Sequence, residues 1–188
     1  MFVRWLMHVD RVVTVAVNDL SGRWAALDVL VWVLAVLLIW ILAAVAMIVA
    51  RQQSISARRS MLLEMCATLV IAWSFNQVVG VVMFRERPFL RGTTTPRITM
   101  DARLKSFPSD HAALAASLVL PMLPYVRRRS LKMLLLAGVF GVAWGRMYVG
   151  VHYLSDVIAG MAVALASWRS VRWLQGRTAA VLGPRVPS

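Results

Sequence analysis

An all-α, polytopic membrane helix bundle of about five transmembrane helices, with an amphipathic interfacial helix at its N-terminus, is the fold this sequence predicts. Three observations predict it. The 188-residue chain is 60% hydrophobic with a mean hydropathy of +0.71, too apolar for a soluble globule of one domain's length. Its apolar residues fall in five runs, each long enough to be buried in lipid. Its net charge of +13 is carried by 19 Arg and 2 Lys, which gather at the ends of those runs rather than along one stripe. That placement argues for membrane orientation and an anionic substrate, and against a nucleic-acid partner.

Residues 2–20 place Phe2, Trp5, Leu6, Val9, Val12, Val13, Ala16, Val17 and Leu20 at helical spacing. Arg4, His8, Arg11 and Asn18 fall on the other side. Residues 1–24 therefore read as a helix lying in the interface, with His8 solvated on its polar face. Asp10 interrupts the segment, which reads against a cleaved leader. Residues 29–50 carry no charge and form the first span. Residues 61–84 form the second, and its Glu64, Asn76 and Gln77 are expected to face protein, the amides as interhelical hydrogen bonders. Cys66, the sole cysteine, sits within that run; it has no disulfide partner and reads as packing.

The longest polar segment, 85–108, holds Arg85, Arg87, Arg91, Arg97, Arg103 and Lys105. A short third span over 110–126 contains Pro121 and Pro124; the fourth runs over 131–149 and the fifth over 152–174. Residues 28–174 thus make a single bundle, and 175–188 a cytoplasmic tail. Loop 51–60 carries Arg51, Arg58 and Arg59, turn 127–132 carries Arg127, Arg128, Arg129 and Lys132, and neither holds an acid. By the positive-inside rule that side is cytoplasmic. The N-terminal helix, the 85–108 segment and residues 146–156 then share the outer face.

The ionisable residues of that face are unusual so close to apolar runs, because charge in hydrocarbon costs several kcal/mol. Asp156 lies four residues after His152, on the same face of a helix starting there. Its carboxylate is expected to accept the imidazole Nδ1–H and leave Nε2 free to attack. Read alone, the pair equally suits a capped helix mouth. Arg146 offers a planar fork of donors to an anion. Arg87 is held at the rim of the second span by Pro88, although a snorkelling arginine would look the same. Ser109 suits an N-cap, and the free N–H groups after it make an anion site beside His111, which is placed to donate a proton. Two of the three histidines, His111 and His152, stand at helix mouths on this one face.

Arg87-Pro88, then Pro108-Ser109-Asp110-His111, then Arg146 followed by His152 and Asp156, resemble the three-part signature of the type 2 phosphatidic acid phosphatase superfamily. Ser106-Phe107-Pro108-Ser109-Asp110-His111 is most similar to its undecaprenyl-diphosphate phosphatase branch of the bacitracin-resistance type. The resemblance implies His152 as a nucleophile forming a phosphohistidine, Asp156 as its orienting carboxylate and His111 as general acid and then base. It implies Arg87, Arg146, Ser109 and the Asp110 backbone as the phosphate cradle. It also implies a bacterial inner (plasma) membrane and the recycling of a polyprenyl carrier for cell-wall synthesis. Other lipid phosphates are the alternative substrates: phosphatidic acid, phosphatidylglycerophosphate or a polyprenyl-phosphosugar. A non-catalytic lipid-headgroup binder is the rival from another class, and the intact His111 and His152 stand against it.

The sequence departs from the superfamily pattern at Gly80, where the first motif has a lysine, and at Gly145, where a serine often precedes the arginine. Lys105, four residues before Ser109, is expected to supply the missing cation. Arg85 is second choice, because on a helix it would point away from Arg87. Outside the motifs the outer loop offers only Glu86 and Asp101 as carboxylates, too few for a two-metal site, so neither metal nor cofactor is expected.

Overall fold

The computed structural model describes residues 2–182, and every regular element among them is helical. In chain order these are α1 (Phe2–Asn18), the pair α2 (Ala25–Val36) and α3 (Leu38–Arg51), α4 (Ile55–Val82), α5 (Asp110–Val119), α6 (Arg129–Tyr148) and α7 (Leu154–Leu182). A 3-10 segment, Leu120–Tyr125, continues α5, and a short 3-10 turn, Pro88–Arg91, interrupts the long segment between α4 and α5.

Three helices, α4, α6 and α7, are long and apolar enough to cross a membrane, and the α2–α3 pair passes the same measure if counted as one span. That pair covers the span expected over 29–50 and is bent by 53° at Leu37. Just before the bend Arg146 Nη1 donates to the Ala35 carbonyl at a long 3.5 Å. Side-chain intrusion of this kind into a helix ladder bends helices. The third expected span, over 110–126, is shorter than the others. Its ten α-helical and six 3-10 residues rise about 27 Å together.

α5 is the centre of the bundle, packed by α3, α4, α6 and α7. Its Ala112, Ala113, Ala115 and Ala116 are all buried, and small residues of this kind let helix backbones approach closely. The approach is tightest at Gly160 of α7, where an added Cβ would stand 2.4 Å from the Ser109 carbonyl oxygen. Gly145 of α6 is pressed in the same way against the backbone of Ala35. Beneath this level Ala46, Met61, Val119, Met122, Val142 and Ala164 form an apolar core. Large apolar residues such as Trp40, Val81, Leu134 and Phe140 cover the outside, as lipid-facing surfaces do. Glu64 is buried, as expected, and accepts from the Trp168 indole N–H.

α1 lies at the end of the bundle and turns a mixed face inward. Asp10, Thr14 and Asn18 are buried together with Val17, whereas Trp5, Leu6 and Val12 are exposed; of the residues expected on the polar face, Arg4, His8 and Arg11 are exposed and Asn18 is buried. The three polar residues recur every four positions, one stripe of a helix, and each meets backbone or charge in the segments it covers. Asn18 donates to the carbonyls of Thr95 and Tyr148 at 3.0 and 2.8 Å and accepts from the Thr95 N–H at 2.7 Å. Cys66 is exposed on the outer side of α4, not packed in the core. α7 runs through the boundary drawn at 174 to Leu182; the rest of the expected tail, 183–188, lies outside the described residues.

Gly160 and Gly176 sit on the same helix in opposite surroundings, since nothing lies within 4 Å of a Cβ added at Gly176. Alanine for glycine within a helix ordinarily stabilises by about 0.5–1 kcal/mol. Gly176→Ala should therefore leave the melting temperature in detergent level or slightly raised. Gly160→Ala should lower it, because backbone overlap at Ser109 outweighs the helix-propensity gain. Equal melting temperatures for the two variants would refute the close α5–α7 contact.

Candidate active site

The segment between α4 and α5 is tied down at intervals, and these ties set the geometry at the end of the bundle. The Ser106 N–H donates to the Arg85 carbonyl at 2.8 Å, closing the segment's two ends on each other. The Arg97 N–H donates to the Val149 carbonyl at 3.0 Å, and the Thr94 hydroxyl to the Gly150 carbonyl at 2.8 Å. Gly150 turns the chain from α6 towards α7 with φ +76°, a region that favours glycine, and an added Cβ would strike the Thr95 carbonyl.

His152 is held in that turn with its ring buried. Its Nδ1–H donates to the Ser106 carbonyl at 2.9 Å. A carbonyl can only accept, so this bond fixes the tautomer and leaves the Nε2 lone pair free. Nε2 faces Arg87 Nη1 at 3.4 Å. The expected Asp156–His152 pairing is therefore less direct than the spacing suggests: Oδ2 of Asp156 stands 3.6 Å from Nδ1. That carboxylate is fully buried and accepts at Oδ2 from the Ser106 hydroxyl and the Tyr153 N–H, and at Oδ1 from Arg85. Burial lowers the His152 pKa, outweighing the opposing pull of Asp156.

Arg87 and Arg146 are both buried. Arg87 spends Nε on the Leu104 carbonyl at 3.2 Å and Nη1 on the Val151 carbonyl at 3.0 Å, and burial holds its pKa below the usual value. Arg146, 2% exposed, keeps Nε and Nη2 without a hydrogen-bond acceptor among the described residues. Ser109 precedes α5 at its N-cap position, as expected, yet its hydroxyl makes no capping bond. That hydroxyl is likewise buried without a partner. The Ser109 N–H donates to the Asp156 carbonyl at 2.9 Å, which joins the mouths of α5 and α7. His111 stands in the first turn of α5, near Arg146, His152, Arg87 and Asp110.

Lys105 reaches the mouth of α5, where its ammonium donates to Asp110 Oδ1 at 2.9 Å and to the Pro108 carbonyl at 3.0 Å. Asn76 and Gln77 donate to the same Asp110 oxygen at 2.9 and 3.4 Å, as interhelical hydrogen bonders. The Lys105 shaft runs over Gly80: an added Cβ there would stand 1.8 Å from Lys105 Cδ. The glycine is what gives this lysine its course. The expected geometry of residues 80–87 is corrected, because α4 ends at Val82 and no helix connects Gly80 to Arg87. Freed from a helix, Arg85 turns inward instead of away, to Asp156 and to Asp10 of α1.

Sequence reasoning missed Asp10, Thr14 and Ser106, and named Arg85 only as a second-choice cation without its bonds to Asp10 and Asp156. The period-four stripe Asp10-Thr14-Asn18 was a signal for the first two; Arg85 and Ser106 carry none, because their partners are set by the path of a loop. Between α4 and α5 lies a cleft of about 190 Å³, lined at one level by Asn76, Asp110 and His111 and deeper by Leu69, Trp73 and Leu114. Among the described residues no group of three or more His, Cys, Asp or Glu side chains is placed to hold a metal ion.

Residues 61–179 match the family model described as the PAP2 superfamily. The chain is 27% identical over 157 residues to the Bacitracin transport permease protein BcrC of Bacillus licheniformis, covering 84% of this chain and 76% of that one. It is 36% identical over 92 residues to Undecaprenyl-diphosphatase BcrC of Bacillus subtilis. That match spans about half of each chain, 48% of this one and 45% of the relative. Among solved structures, a transmembrane PAP2 type phosphatidylglycerolphosphate phosphatase from Bacillus subtilis superposes with a TM-score of 0.69 at 18% identity, covering 92% of this chain and 87% of that one; the likeness is one of fold. With its three motifs converging on one end of a helical membrane bundle, the chain belongs to the PAP2 superfamily.

Proposed function

We propose that the protein is a membrane lipid phosphatase that removes the terminal phosphate of a polyprenyl diphosphate through a phosphohistidine on His152. The observation that carries this reading is the set of buried donors without acceptors: Arg146 Nε and Nη2 and the Ser109 hydroxyl. An unpaired guanidinium costs several kcal/mol to bury unless an anion meets it. A phosphate bound there would be met by Arg146, Arg87, Ser109 and the free N–H groups at the mouth of α5.

In the first step Nε2 of His152 attacks phosphorus, and the bond to the bridging oxygen breaks in line. His111, protonated beside the bound diphosphate, gives that proton to the departing lipid phosphate and is left neutral. The positive charge that develops on the His152 ring is stabilised by the Ser106 carbonyl at Nδ1–H and by Asp156. In the second step a water gives its proton to His111 and attacks the phosphohistidine, releasing inorganic phosphate and restoring both histidines. The cleft between α4 and α5, polar at His111 and apolar below, suits the lipid chain. The basic ends of the other loops favour the outer face of a bacterial plasma membrane for the site. The undecaprenyl-diphosphatase relative favours a polyprenyl diphosphate over phosphatidic acid. The permease named among the relatives keeps a transport reading as the alternative.

Purified protein should release phosphate from undecaprenyl diphosphate with a higher kcat/KM than from phosphatidic acid or phosphatidylglycerophosphate. Acid quench during turnover should trap a phosphoenzyme that is absent from a folded His152→Ala variant. Asp156→Asn should lower kcat by about 10²–10⁴-fold. A fully active His152→Ala variant would sink the mechanism.

Sidedness can be read with single cysteines in a Cys66→Ser background, at the exposed positions Thr99 and Gln52. In intact cells an impermeant maleimide should label the Thr99→Cys variant and leave the Gln52→Cys variant unlabelled. The reverse pattern would place the site in the cytoplasm.

The exchange between Lys105 and Gly80 supplies a further check. Gly80→Lys alone should impair activity, because its side chain must displace the Lys105 shaft. Lys105→Ala should lower kcat/KM by roughly tenfold, the scale of one charge-assisted hydrogen bond. Gly80→Lys added to Lys105→Ala should recover part of that loss. A double variant worse than either single would show that the lysine's place cannot be filled from α4.

A further inference from the structure

The backbone N–H groups that open a helix have no acceptor within it. At the start of α7 two of them are capped by another helix. Thr14 Oγ1 accepts from the Leu154 N–H at 3.0 Å, and Asp10 Oδ1 from the Ser155 N–H at 2.7 Å. Both acceptors belong to α1, more than 130 residues away in the chain. The second oxygen of Asp10 accepts from the Ser155 hydroxyl at 2.8 Å and from Arg85 Nη2 at 2.7 Å.

Arg85 carries the connection onward. Its Nη1 donates to Asp156 Oδ1 at 2.9 Å and to the Ser155 hydroxyl at 2.7 Å, and its guanidinium lies 3.7 Å over the Tyr153 ring. A planar fork held at both ends and stacked on a ring has little freedom to turn. The result is a line of ion pairs from Asp10 of α1 through Arg85 to Asp156, whose Oδ2 stands 3.6 Å from His152 Nδ1. Both Nη atoms of Arg85 are thereby engaged with carboxylates.

We propose that Asp10 and Arg85 are positioning residues for the reaction: Asp10 fixes the first turn of α7 and aims Arg85, and Arg85 holds the Asp156 carboxylate beneath His152. The N-terminal helix is then part of the catalytic apparatus rather than a membrane anchor alone. This rests on the reading of His152 as nucleophile. A residue that aligns a reactive group without touching substrate affects turnover and leaves substrate binding nearly as it was.

The test measures kcat and KM of the purified full chain, with whichever lipid gives the higher kcat/KM. Asp10→Ala and Arg85→Ala should each lower kcat about 10- to 100-fold, the usual effect of removing a group that orients a reactive centre, with KM within about threefold. The double variant should be no slower than the slower single one, since both act along one line. Asp10→Asn keeps an oxygen for the Ser155 N–H and loses the charge, so it should keep the wild-type melting temperature and still lower kcat. Asp19→Asn, an exposed carboxylate just past the end of the same helix, should match wild type. Wild-type kcat in Asp10→Asn or Arg85→Ala, multiplicative losses in the double variant, or a loss confined to KM would overturn the positioning role. Phosphate release by the wild type and its loss in His152→Ala report separately on the phosphatase reading; no release by the wild type would overturn both.

Discussion

Two arginines buried side by side at one end of a membrane bundle are the constraint on which the rest of the structure depends. Arg87 is partly satisfied by backbone carbonyls, whereas Arg146 has two nitrogens with no acceptor among the described residues. Like charges at such close quarters repel, and burial strengthens that repulsion. Asp156 and Asp110 lie near enough to Arg87 to offset part of it, and neither is ion-paired to Arg146. What is left is a site of positive potential with a serine hydroxyl and a helix N-terminus turned to it, which is a description of an anion's binding place.

Bringing these groups together needs backbones closer than side chains usually permit. The alanines of α5, Gly160 on α7 and Gly145 on α6 provide that closeness. α5 and α7 touch at Ser109 and Gly160, so the mouths of the two helices, with His111 and His152 at them, fall into one small volume. The apolar core beneath fixes the helices laterally, and the loop ties at Ser106, Thr94 and Arg97 fix the turn that carries His152. Glycine also governs the basic residues. Gly80 leaves room for the Lys105 shaft, so a lysine from the loop lies where α4 carries none.

α1 shows how misleading amphipathicity can be at a membrane. In water its apolar stripe would face the core. Here the surroundings of the bundle end are apolar or interfacial and the interior of that end is polar. Trp5 and Leu6 therefore turn outward, and Asp10, Thr14 and Asn18 turn to the unsatisfied donors and acceptors below. The periodicity was legible in the sequence; which stripe lay inside was not, because the answer depends on what the rest of the fold leaves unpaired.

The sequence by itself determined the helical membrane class, the grouping of Arg87, Ser109, His111, Arg146, His152 and Asp156 at one end, and the use of Asn76 and Gln77 between helices. Those features follow from hydropathy, from local spacing and from residue types that hydrocarbon tolerates only with partners, all of which are local properties of the chain. The tertiary structure alone decided that Nδ1 of His152 donates to the Ser106 carbonyl rather than to Asp156, that Arg85 turns inward, and that the first span bends at Leu37. Each of these joins segments far apart in sequence, through a loop path set by packing and backbone hydrogen bonds. A period of 3.6 residues fixes neighbours along one helix; it carries no information about which carbonyl a distant loop will present to an imidazole.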